Sequence, residues 1–182
     1  MRAVALVALG LLAGPSAVAV RGEDTSTEVA PRANVAVVAG LFDFTDDTYR
    51  AGEFGAQYRG RGRWWVLHPI AGGMVTTDGA WHLYAGFGID VPIARRFLIR
   101  LSFAPGYYHQ GPGKPLGMAL EFRSSFEIAW RFGDGWRIGL EGYHLSNADL
   151  AAHNPGNGSL LLALTIPLGQ TSSQRPSPSA TR

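Results

Sequence analysis

Between residues 117 and 132 apolar and polar side chains alternate. Leu120, Phe122, Phe126, Ile128, Trp130 and Phe132 fall on one parity, with Ser124 among them. Glu121, Arg123, Ser125, Glu127 and Arg131 fall on the other. A period of two marks a strand, whose successive side chains point to opposite faces. The same alternation, less clean, recurs along the chain and predicts eight strands at about 34–44, 50–59, 62–76, 79–92, 96–108, 117–132, 135–147 and 158–168. Turn chemistry punctuates them. Arg59-Gly60-Arg61-Gly62, Thr77-Asp78-Gly79 and Gly133-Asp134-Gly135 mark short joints, and Gly111-Pro112-Gly113-Lys114-Pro115 and the stretch from Ser146 to Asn157 mark longer loops.

A soluble sandwich or lipocalin-like barrel would bury the apolar parity and wet the charged one. A membrane barrel does the reverse, with the apolar side to lipid and the polar side to the lumen. Strands near ten residues long suit a tilted bilayer crossing, and eight strands with alternating short and long joints is the smallest outer-membrane pattern. The expected fold is therefore all-β, an eight-stranded antiparallel outer-membrane β-barrel over residues 34–168. Its lumen would pair Glu121, Glu127 and Glu141 with Arg123, Arg131 and Arg137, because unpaired charges there are costly. Trp64-Trp65, Trp81, Tyr107 and Tyr108, near strand ends, suggest an interfacial aromatic girdle. Such barrels often finish on an aromatic residue, whereas this last strand ends at Leu168.

The ends of the chain read differently. Met1-Arg2, the apolar run Ala3 to Ala13 and Ala17-Val18-Ala19 have the layout of a cleaved export signal over residues 1–19. The run is too short to span a bilayer, and no run of eighteen apolar residues follows. Residues 20–33 are expected to be a flexible lead-in and residues 169–182, rich in Ser and Pro, a disordered tail.

Composition excludes more than it assigns. Cysteine is absent from the 182 residues, which removes disulfides, thiolate catalysis and Cys-ligated metal. A formal charge of +2 with no basic run gives no reason to expect nucleic acid. His68, His82, His109 and His153 lack ligand spacing and read as lumen, interface or solvated residues. Asp43, Asp46 and Asp47 read as a solvated acidic turn. No metal or cofactor is expected.

The candidate chemistry lies at the end of the seventh strand. His144 and Ser146 are two positions apart, so they share a face, roughly 6.8 Å apart along the backbone. That face also carries Trp136, Ile138, Leu140 and Gly142, and in a membrane barrel it looks at lipid. A histidine there is expensive unless it has a partner and a purpose. The pairing suggests a Ser-His hydrolytic site on the barrel wall, since serine needs an adjacent base to become a competent nucleophile.

His144-Leu145-Ser146-Asn147-Ala148 followed by Asn154-Pro155-Gly156 resembles the H-x-S-N…N-P-G signature of the PagL-type lipid A 3-O-deacylases. By motif the resemblance covers roughly the last third of the chain; the rest agrees in strand count and export signal. It implies an outer-membrane serine esterase that removes the ester-linked 3-position acyl chain of lipid A without a metal. Ser146 would be the nucleophile, His144 its general base, and Asn147 part of the oxyanion hole. The implied partners are lipid A of lipopolysaccharide and the membrane, with a homodimer left open. Where the family carries a Glu that orients the histidine, this chain has Gly158. Three alternatives stand: Asn157 orients His144 through its amide, Asp149 reaches back, or the protein is a catalytically impaired or non-enzymatic lipid-binding or structural barrel. A phospholipase is a further option.

Overall fold

The computed structural model describes residues 32–61 and 66–169. The expected export signal, residues 20–31 of the lead-in, Trp64-Trp65 and the tail beyond Gly169 lie outside the described residues. Eight strands run β1 (Asn34–Phe42), β2 (Ala51–Arg59), β3 (His68–Thr76), β4 (Trp81–Pro92), β5 (Phe97–His109), β6 (Leu120–Arg131), β7 (Arg137–Ser146) and β8 (Asn157–Pro167). Each pairs antiparallel with the next, and β1 pairs with β8, so the sheet closes into a barrel. Closure removes the free edge that an open sheet would leave in lipid. The last strand needs no terminal aromatic for this: Leu168 N–H still bonds the Ala33 carbonyl at 2.7 Å.

Most strands start or stop a residue or two from the expected bounds, where the backbone turns. β1 stops at Phe42 because Asp43 takes φ 54°. The largest difference is β3, which begins at His68 rather than near 62.

The alternation is inverted relative to a soluble protein. In β6, Glu121, Arg123, Ser125, Glu127 and Ala129 are buried, while Leu120, Phe126 and Ile128 are exposed. Leu83, Phe87, Leu101, Phe103, Leu140, Leu162 and Leu164 continue the exposed apolar belt. In water such a belt would be a large unsatisfied surface; in a bilayer it is the contact with lipid.

The lumen is filled by charge. Arg123 pairs with Glu141 at 3.0 Å, as the alternation suggests, and its guanidinium also lies 4.0 Å from the Tyr143 ring centroid. The other expected pairings are redrawn. Glu127 pairs at 2.7 Å with Arg59 from β2, across the barrel. Arg137 pairs at 2.7 Å with Asp90, which Arg100 also meets. Arg131 is exposed and donates to the Arg95 carbonyl, and Glu121 has no ion pair among the described residues.

The two ends differ. Residues 43–50, 77–80, 110–119 and 147–156 form one set of loops, which includes the two longest, and the turns 93–96 and 132–136 lie at the opposite end with the β2–β3 connection and both ends of the barrel segment. The longer-loop end is closed by packing. Phe42, Leu116 and Tyr108 are buried there, and Lys114 reaches fully buried Asp43 at 2.5 Å. Asp43 is therefore not the solvated residue its sequence neighbours suggested; Asp46 and Asp47 are exposed. Tyr108 also departs from the expected girdle: it points inward, and its hydroxyl donates to the Lys114 carbonyl at 2.8 Å. Trp81, stacked on His109 and tilted against Tyr107, does face outward near this end.

Candidate active site

β7 carries the candidate pair, His144 and Ser146, on the outer wall. Leu140, Gly142, His144 and Ser146 share the outward parity; His144 is exposed and Ser146 half-buried, while Glu141, Tyr143 and Leu145 point into the lumen. The pair lies where β7 runs into the loop 147–156, at the longer-loop end. Across the sheet His144 opposes Ser124 on β6 and Gly158 on β8. Both neighbours are small, so the wall beside the imidazole is hollowed into a groove of about 510 Å³, bordered by Ser124, Phe126, Gly142, His144, Gly158 and Thr45. The exposed His144 and Phe126 place the groove on the outer wall of the barrel.

The imidazole leans toward the loop. A Cβ placed on Gly156 would stand 2.8 Å from His144 Cε1 and 3.1 Å from Nε2, and Gly156 has φ +66°. Glycine is the residue that tolerates both the left-handed backbone and the close approach. An imidazole N–H is directed at the main-chain carbonyl of Asn157.

Ser146 is held by Asn154. Its Oγ accepts from Asn154 Nδ2 at 3.1 Å and from the Ala148 N–H at 3.1 Å, and lies 3.4 Å from Asn154 Oδ1. Asn154 is the hub of the loop: its Oδ1 also accepts from the Asn147 N–H at 3.2 Å, and its Nδ2 donates to Asp149 at 2.8 Å. Ala148 and Asp149 have φ 55° and 60°, a left-handed pair that folds the chain back sharply after the serine. The structure thus brings His144 and Ser146 to one face, with the hydroxyl engaged by Asn154 rather than by the imidazole.

The other sequence candidates are placed elsewhere. Asn147 is fully buried and points inward, and its Nδ2 donates to the Leu116 and His153 carbonyls at 2.9 Å each. Its side chain ties two loops together, which leaves main-chain N–H groups, chiefly that of Ala148, near the serine. Asn157 is on the lumen parity and donates to Ser159 Oγ at 2.9 Å, so its amide faces away from His144; only its carbonyl serves the imidazole. The Asp149 carboxylate is bound to Asn154. The place a side chain at 158 would fill is taken by Thr45, whose Oγ1 and Cγ2 lie 2.7 Å from a Cβ built on Gly158. Thr45 carries no sequence signal, since it comes from the β1–β2 loop. Asn154 was visible as part of a motif, but its grip on the serine was not. His82 is fully buried in the lumen, His109 stacks on Trp81, and His153 is exposed. Among the described residues no group of three or more His, Cys, Asp or Glu side chains is arranged to hold a metal ion.

Comparison with known proteins supplies a family. The family model described as lipid A 3-O-deacylase (PagL) matches residues 35–167. A crystal structure titled as that of the outer membrane enzyme PagL superposes with a TM-score of 0.59 at 21% identity, covering 74% of this chain and 99% of that one. A structure titled as de novo design of transmembrane β-barrels gives a TM-score of 0.50 at 14% identity, covering 75% of this chain and 96% of that one. No curated protein matches.

Proposed function

We propose, from the premise that this chain belongs to the lipid A 3-O-deacylase (PagL) family, that it is an outer-membrane serine esterase acting on the 3-position acyl ester of lipid A. The observation that carries this reading is the outward placement of His144 and Ser146 on the lipid-facing wall, at the end with the longer loops. In outer-membrane barrels that end faces the cell exterior, the side on which lipid A resides. An ester in that leaflet reaches the groove without leaving the bilayer. Export through the signal over residues 1–19 belongs to the same reading.

The chemistry follows from the side chains. Rotation of Ser146 about its Cα–Cβ bond takes Oγ from Asn154 toward the imidazole, and catalytic contacts of this kind commonly tighten only when substrate is bound. Oγ attacks the ester carbonyl carbon as its proton passes to His144. The Ala148 N–H, which now donates to Oγ, is freed to donate to the oxyanion; such a donor contributes about 2.7–4 kcal/mol to transition-state stabilisation. The intermediate collapses with loss of the sugar 3-oxygen, which takes the proton from His144. Water then attacks the acyl-serine, delivering its proton to His144, and releases the fatty acid and free Ser146.

The test is lipid A from cells that express the protein in their outer membrane, weighed by mass spectrometry. The expected result is loss of one 3-linked acyl chain, abolished by Ser146→Ala. A second reading, a lipid-binding barrel without turnover, is favoured by the lack of a carboxylate at Gly158 and by the hold of Asn154 on Ser146. Unchanged lipid A beside a folded protein would establish it, and fatty acid released from phospholipid vesicles instead would make the protein a phospholipase.

A further inference from the structure

We propose that Thr45, on the loop between β1 and β2, is a positioning residue for His144: its hydroxyl stands in the place left empty at Gly158 and fixes the imidazole for proton transfer. This rests on the esterase reading and names the residue that completes it.

Three observations converge. Gly158 is the direct cross-strand partner of His144, so whatever fills the space above Gly158 flanks the imidazole on its β8 side. That space holds Thr45, with Oγ1 and Cγ2 2.7 Å and Cβ 3.3 Å from a Cβ built on Gly158. Thr45 and His144 also border the same groove. The threonine is brought there by specific bonds on either side. The Phe44 N–H donates to the Gly158 carbonyl at 2.7 Å, stitching the loop to β8 one residue before Thr45. Asp43, fully buried, accepts from Lys114 at 2.5 Å and from the Tyr49 N–H at 2.8 Å. An ion pair at the closed end of the barrel thereby fixes the loop that presents Thr45.

A hydroxyl does part of what a carboxylate does. It shares the single N–H of the neutral imidazole with the Asn157 carbonyl, which selects one ring orientation and tautomer and leaves the other nitrogen free for the Ser146 proton. It brings no charge to stabilise the imidazolium, so turnover is slower than with an acid. The geometry also explains why a carboxylate cannot simply be restored. A Glu at position 158 would have its Cβ inside the contact distance of Thr45.

The experiment uses the full mature protein in detergent micelles, with folding of every variant checked by its heat-dependent gel mobility. Deacylation of lipid A is measured, and the His144 ring nitrogens are followed by NMR. Thr45→Val, which keeps the shape and removes the hydroxyl, is expected to lower kcat about 10–100-fold with KM within about twofold. It is also expected to convert a single imidazole tautomer into a mixture. Thr45→Ser retains most of kcat. Gly158→Glu alone lowers activity, whereas Thr45→Gly with Gly158→Glu exceeds either single variant. A Thr45→Val protein with unchanged kcat and unchanged ring signals overturns the proposal, as does a gain from Gly158→Glu alone. If the parent does not turn over lipid A, the esterase reading fails; the ring signals then decide separately whether Thr45 orients His144.

Discussion

Replacing Arg59 by Met tests the charged interior directly. The guanidinium is 2% exposed and its partner Glu127 1%, with Nη2 2.7 Å from Oε2. Nε donates to Gln57 Oε1 at 2.7 Å and Nη1 to Thr165 Oγ1 at 3.1 Å, and Glu141 lies 4.0 Å away. Methionine fills much of the volume and supplies none of these donors. Glu141 keeps Arg123 at 3.0 Å, but Glu127 is left with no ion-pair partner among the described residues. Breaking a buried pair from one side costs about 3–5 kcal/mol, because the orphaned charge stays desolvated. Replacing both sides with Arg59→Met and Glu127→Leu removes that penalty and is expected to return stability to within about 1 kcal/mol of the parent or above it. Urea titration of the protein folded in phospholipid vesicles, with folded and unfolded forms resolved by gel mobility, reads both values. An Arg59→Met variant that costs under about 1 kcal/mol, or a double variant that loses as much as Arg59→Met alone, would refute the claim that one ion pair holds β2 to β6 through the lumen.

Two further perturbations address the wall and the site. Leu162→Arg puts a charge in the middle of β8 on its lipid face, where Leu162 is 64% exposed; the expected loss is about 2–4 kcal/mol in vesicles, the depth-dependent cost of such a charge near the midplane, and a change under about 0.5 kcal/mol would mean that this face meets water. Gly156→Ala sets a Cβ 2.8 Å from His144 Cε1 at a φ of +66°; it should cost about 1–2 kcal/mol in backbone strain and lower the deacylation rate about tenfold or more by displacing the ring, and a rate equal to the parent's would show that the imidazole is not held there.

The barrel was legible because its signal is one-dimensional. Parity alone separates Glu121, Arg123 and Glu127 from Leu120, Phe126 and Ile128, and the same parity puts His144 and Ser146 on the outside. It could also have corrected the girdle, since Tyr107 and Tyr108 are neighbours in an extended strand and cannot share a face; the structure buries Tyr108 and exposes Tyr107. What parity cannot carry is the choice of partner across the lumen. Glu127 had arginines nearby in sequence, yet its partner is Arg59, 68 positions away, because barrel curvature brings β2 opposite β6. Loop contacts were equally hidden. Asp43 meets Lys114 over 71 positions, and Asn147, legible only as a motif letter, spends its amide on two loop carbonyls. Thr45 meets Gly158 through a gap that only a glycine leaves, and no local pattern announces the residue that fills such a gap.

The outward setting of His144 and Ser146 has a kinetic consequence. Substrate arrives by lateral diffusion, so the quantity that governs rate is its mole fraction in the surrounding sheet of lipid, not its molarity in the sample. Adding inert phospholipid at constant lipid A should slow turnover by surface dilution. The liberated fatty acid partitions into that same sheet, where it competes for the groove and makes product inhibition grow with the course of the reaction.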